Sequence, residues 1–125
     1  MEKEKEGNKA LRYNTNKPKW SLVHFQSLLP MVRVLEFGAT KYAPHNWQKG
    51  LVKSEVLDSL QHHLAALIDG EENDPESKES HMGHIMCNTM FYNYFEINGG
   101  WIGENTKSDG TSENLSAFLL VGKVF

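Results

Sequence analysis

Histidines and carboxylates crowd one stretch of this 125-residue chain, QHHLAALIDGEENDPESKESHMGHIMCN at residues 61–88. Four of the six histidines, His62, His63, His81 and His84, fall there, on either side of an acidic loop. Side chains of these types ligate metals, carry protons or face phosphates, so a metal or polyphosphate site is the first chemistry to expect.

Spacing sharpens the second half of the stretch. His81, His84, Asn88, Phe91 and Phe95 stand at offsets 0, 3, 7, 10 and 14, which is one stripe of a helix. Aromatic at one end and His/His/Asn at the other, it should run from a buried core into a polar pocket. The alternative is that His81 and His84 form an exposed first turn. His63 lies three residues after Leu60 and four before Leu67, on the apolar stripe of the preceding helix. It is either a site residue or a buried neutral histidine satisfied by a carboxylate. His62 is off that face and four after Asp58, where an i,i+4 ion pair accounts for it.

In the loop, Glu71 and Asp74 form an ExxD pair, with Glu72 and Glu76 nearby. Mg²⁺ takes oxygen ligands, so if the helix extends through Glu71 the two carboxylates share a face and can hold one ion. A solvated acidic loop is the alternative. Glu36 is a third oxygen candidate because Val32 and Ala39 near it are apolar; otherwise it pairs with Arg33 on the surface. Zinc is the less favoured ion, since HExxH and a second cysteine are both missing. No adjacent His-Asp pair and no serine or cysteine nucleophile motif occurs.

GATKYAPHNWQKG, residues 38–50, supplies the complementary chemistry. Lys41 and Lys49 can neutralise phosphate, Asn46 can read a base edge, and Tyr42 or Trp47 can stack on a base. Trp47 could equally plug the core. Arg12 and Lys17 offer further phosphate contacts, or belong to a solvated arm.

Three helices must position these groups. One runs from about Ser27, a possible cap, to Lys41 or Tyr42, with Pro30 tolerated in its first turn. The second runs from about Ser54, its expected cap, to Asp69, with Leu57, Leu60, Leu64 and Leu67 as its inward stripe and Gly70 as its stop. The third spans about Glu79 to Ile97 and stops at Gly99-Gly100. Residues 1–9 read as a loose charged arm, 98–114 as a linker, and the tail LSAFLLVGKVF as strand or short helix. The expected architecture is all-α, with a nucleotide-binding domain at 1–100 and a C-terminal extension at 101–125.

Composition narrows the class. An apolar fraction of 39% and a charged fraction of 23% suit a globular domain, and a net charge of −3 argues against bulk nucleic-acid binding. Cys87 is the single cysteine, so no internal disulfide forms. With no apolar run of membrane-spanning length, the expectation is a soluble cytoplasmic protein.

GATKY, NW, GE..DPES and H..H, in that order between Arg12 and Phe95, resemble the dATP/dGTP diphosphohydrolase N-terminal domain family of phages and bacteria. That family is related to the MazG-like nucleotide pyrophosphohydrolases. The resemblance implies a MazG-like helical bundle, a dimer or tetramer, that hydrolyses dATP or dGTP to the monophosphate and pyrophosphate with Mg²⁺, or Mn²⁺ in its place. It also implies Glu36, Glu71 and Asp74 as metal ligands, Glu71 and His63 in catalysis, and His63, His81 and His84 facing the cavity. Lys41, Tyr42, Asn46 and Trp47 would touch the nucleotide. The chain departs from the pattern in two places: Glu36 begins EFGA, without a second acid, and His62 stands where an arginine is usual. A short acidic set keeps a second class open, a phage binding module that sequesters a nucleotide or cyclic nucleotide without cutting it. A purely structural protein accounts least well for the clustering.

Overall fold

A computed structural model describes residues 10–12 and 15–103. The charged arm at 1–9, and the linker and tail from residue 104 onward, lie outside the described residues. The described residues are all-α: α1 is Leu29–Lys41, α2 is Lys53–Ile68 and α3 is His81–Asn98. Short 3₁₀ segments cover Trp20–Leu22, Phe25–Leu28 and Asn46–Lys49, and Asn73 and Ser80 form an isolated antiparallel bridge. No helix among the described residues is long and apolar enough to cross a membrane.

Two expected caps are not used. Ser27 sits within the 3₁₀ segment that leads into α1, its hydroxyl bonded to His24 Nδ1 at 2.7 Å. Ser54 lies inside α2, whose first amides, Glu55 and Val56, donate instead to the Val52 carbonyl. Pro30 fits α1 because a first-turn residue has no intrahelical partner for its N–H. Ser80 does cap α3, accepting the Gly83 N–H at 2.9 Å.

α3 is the central element and packs against both α1 and α2. It passes against α1 at Gly83, where a Cβ would stand 2.4 Å from the Pro30 carbonyl oxygen, so only glycine fits. Val34, Val56, Cys87 and Phe91 form the core cluster. Trp47 closes it, with its ring 4.5 Å from Phe91 and edge-on to Tyr94 at 4.9 Å. Trp101 packs on Phe95 at 4.8 Å, and the Ile102 N–H donates to the Leu51 carbonyl, so the chain just after α3 belongs to this body. Burial pushes the Cys87 thiol up to about 12; it stays protonated and donates to the Met31 carbonyl at 3.3 Å.

The inward face of α2 differs from the leucine stripe. Leu57 and Leu64 are 42% and 41% exposed, while Glu55, Val56, Ser59 and His63 are buried. The reason is the stripe opposite: α3 presents His81, His84 and Asn88, and burying them against leucines would leave their polar atoms unsatisfied. Ser59 and His63 supply partners instead.

Glu55 is the unusual member of that face. It is 3% exposed, and neither carboxylate oxygen has a hydrogen-bond partner among the described residues. Desolvation by burial raises its pKa from 4.5 to about 7. A carboxyl whose folded pKa is raised holds its proton longer in the native state than in the unfolded chain. Its contribution to stability is therefore greatest below the unfolded value and declines as pH rises toward about 7. Glu55→Gln should become progressively more stable than the parent between pH 4.5 and pH 8, ending about 4 °C or more higher in Tm, as followed by circular dichroism. A Tm difference that does not change with pH would contradict this account of Glu55.

Candidate functional site

The site begins where α2 stops. The Gly70 N–H donates to the Leu67 carbonyl and the Glu71 N–H to the Ala66 carbonyl, with Gly70 at φ +97°. This paired bonding satisfies the last carbonyls of the helix and turns the chain sharply. Glu71 and Asp74 therefore lie on a loop, and the shared helical face expected of them does not form.

The acidic loop is itself folded around Asp74. One carboxylate oxygen of Asp74 accepts the Ser77 N–H at 2.8 Å and the Glu76 N–H at 3.1 Å. Its backbone carbonyl accepts the Lys78 N–H and its backbone N–H donates to the Glu79 carbonyl, both at 2.8 Å. The His81 N–H returns to the Glu72 carbonyl at 2.8 Å, fastening the loop to the start of α3. Burial alone would raise the Asp74 pKa, but the Ser77 bonds and the charges of His84 and His63 outweigh it and hold the carboxyl below its ordinary value.

Between α2, α3 and this loop runs a buried polar seam. His63 Nδ1 and His81 Nδ1 are 2.8 Å apart, and His81 Nε2 is 2.7 Å from a Glu71 carboxylate oxygen. The bonds fit one tautomer set: His81 Nε2–H donates to Glu71, and its Nδ1 accepts from His63 Nδ1–H. His84 stacks on His63 with centroids 4.2 Å apart and 8° between planes, and its Nε2 is 2.7 Å from the Ser77 hydroxyl. Asn88 donates to the His84 carbonyl at 2.9 Å. Nitrogens of His63 and His81 and a carboxylate oxygen of Asp74 all lie within 4.8 Å of one another. His81 and His84 are 3% and 0% exposed, which disposes of the exposed-turn alternative.

The other expected residues gather elsewhere. Tyr42, Asn46 and Trp47 line a cleft of about 430 Å³, walled by Val32, Leu35, Ala39, Pro44 and Met90. Glu36 lines this cleft too, and it pairs with Arg33 at 3.0 Å on the exposed face of α1. Glu36 thus does not join Glu71 and Asp74. Lys41 at the end of α1 bonds Glu76 at 2.9 Å, tying the cleft side to the acidic loop. Arg12, Lys17 and His62 are exposed. Ser77, Ser59 and Glu55 escaped the sequence reasoning, although Glu55, Ser59 and His63 recur at i, i+4 and i+8, a polar stripe visible in the sequence.

The donors gathered here are rich in nitrogen, whereas Mg²⁺ is held through oxygen, commonly one or two carboxylates with waters and phosphate oxygens. Among the described residues, the side chains close enough to share one ion offer two imidazole nitrogens and one carboxylate.

A family model described as dATP/dGTP diphosphohydrolase, N-terminal, matches residues 7–105. A dATP/dGTP diphosphohydrolase of Salmonella phage PMBT28 is 30% identical over 82 residues, 66% of this chain. The match spans 28% of that relative's length. No solved structure matches the chain.

The seam and the surface pair differ in kind, and substitution should separate them. Ser77→Ala removes the hydroxyl that meets both His84 and the Glu79 N–H, and should cost about 1–3 kcal/mol in urea denaturation. Glu76→Ala, which removes the exposed pair with Lys41, should cost less than about 1 kcal/mol. Equal costs would mean that the seam is not the rigid part of the site.

Proposed function

The chain belongs to the dATP/dGTP diphosphohydrolase N-terminal family, and from that premise we propose that it hydrolyses a purine deoxynucleoside triphosphate to the monophosphate and pyrophosphate. The observation that carries the chemistry is the row His63–His81–Glu71, hydrogen-bonded from a buried interior to a half-exposed carboxylate. In this reading Glu71 orients water and accepts its proton, and the imidazoles behind it fix the orientation of the carboxylate. The water oxygen bonds to phosphorus, the α–β anhydride breaks, and pyrophosphate departs with the electron pair.

The base would lie in the cleft against Tyr42, Pro44 and Trp47, with Asn46 reading its edge. Lys41 would turn from Glu76 toward phosphate. The seam opens onto a loop carrying Glu71, Glu72, Asp74, Glu76 and Glu79, which repels a triphosphate unless a cation intervenes. That charge balance supports a metal-dependent reaction. Leu57, Leu64 and Ile68, on one outward face of α2 with Ile68 75% exposed, further support a homo-oligomer, a dimer or tetramer.

The decisive assay incubates the purified protein with dNTPs, NTPs and cyclic dinucleotides, with divalent cations or with EDTA, and reads products by chromatography. A purine dNTP should yield its monophosphate and pyrophosphate, EDTA should stop the reaction, and Glu71→Gln should lower kcat by about 10²–10⁴. Tyr42→Ala should raise KM more than it lowers kcat. Recovery of every nucleotide intact would overturn the hydrolase, and an intact nucleotide that co-elutes with the protein would replace it with a binding module. Light scattering should give a mass above that of one chain.

A further inference from the structure

We propose that His63, His81 and Asp74 form a binding site for one first-row transition-metal dication of the Zn²⁺ or Co²⁺ kind, rather than for Mg²⁺. The site stands on side-chain geometry; only its role in hydrolysis rests on the function proposed above.

Distance is the first ground. Ligand atoms about 2.0–2.2 Å from a tetrahedral ion stand about 3.3–3.6 Å apart, so a group already within 4.8 Å closes by no more than about 1.5 Å while the 2.8 Å His63–His81 pair opens by less than about 1 Å. The second ground is the contact between His63 Nδ1 and His81 Nδ1 at 2.8 Å. Two nitrogens face each other there across a single proton. A cation that takes the place of that proton receives both lone pairs and releases H⁺ to solvent.

Support around the ligands is the third ground. With Nδ1 of His81 on the ion, its Nε2–H still donates to Glu71 at 2.7 Å, the carboxylate–histidine–metal arrangement that orients a ligating imidazole. His63 is held flat against His84, which the Ser77 hydroxyl anchors. Asp74 is held by the Ser77 and Glu76 N–H groups. Two imidazoles and one carboxylate suit zinc and its neighbours, whereas magnesium binds nitrogen weakly. Three protein ligands also leave a position for water or a phosphate oxygen.

The full chain, stripped with chelator and dialysed, is titrated with Co²⁺ by visible absorption and with Zn²⁺ by calorimetry. One ion per chain should bind with proton release, and a large excess of Mg²⁺ should not displace it. His63→Gln and His81→Gln should abolish binding, and His62→Gln, at the exposed neighbour, should preserve it. Glu71→Gln, on the half-exposed second partner, should weaken binding about 10–100-fold. Circular dichroism establishes which variants fold. If both histidine variants unfold, the Glu71→Gln affinity decides, and an unchanged value overturns the site. Failure of Co²⁺ and Zn²⁺ to bind, binding that survives both histidine substitutions, or displacement by Mg²⁺ also overturns it. Metal bound without nucleotide hydrolysis would leave the site standing and remove the hydrolase. Hydrolysis with Mg²⁺ by protein that takes up neither Co²⁺ nor Zn²⁺ would do the reverse.

Discussion

Everything in this small fold is arranged around the need to satisfy buried imidazoles. A histidine removed from water must find partners for both ring nitrogens or lose several kcal/mol. Three of them meet here: both nitrogens of His81 are partnered, by His63 and Glu71, while Ser77 meets His84 Nε2 and His81 meets His63 Nδ1. That requirement turns Ser59 and His63 of α2 inward and leaves Leu57 and Leu64 exposed, with Leu60 and Leu67 half-buried. It also fixes the loop, because Ser77 and Glu71 must be brought to the rings they serve. The apolar core is accordingly small, and polar groups occupy much of the interface between α2 and α3.

Two kinds of surface result. One is the cleft beside α1, walled by aliphatic side chains and Tyr42, Pro44 and Trp47. The other is the polar seam with its acidic rim. A purine nucleotide has the same division, a flat apolar base at one end and a charged chain of phosphates at the other. The Lys41–Glu76 pair joins the two regions in the free protein. An exposed pair of this sort is held weakly and can exchange partners at little cost.

The helices were legible in the sequence because their stop signals are local: Gly70 and Gly99 end α2 and α3 at positive φ, where side-chain-bearing residues are strained. The stripe of α3 was equally legible, since its spacing alone places His81, His84, Asn88, Phe91 and Phe95 on one side. The inward face of α2 was not. Hydropathy favours Leu57 and Leu64, and only the polar character of the facing helix reverses that choice. The same limit hid Ser77 and Glu55, whose importance depends on groups distant in sequence or on the absence of a partner among the described residues. Glu36 was open in the sequence between a ligand and a partner of Arg33, and the fold pairs it with Arg33 beside the cleft.

The chain's one thiol has a use that its chemistry does not advertise. Cys87 is fully enclosed where α1 crosses α3, and a protonated, sheltered sulfur does not react with alkylating reagents. Its labelling must therefore wait until α1 lifts away from α3. Because no other cysteine competes for reagent, the rate of modification is a clock for the breathing of the bundle. It can be read in the unmodified protein, with no probe introduced and no perturbation of the seam.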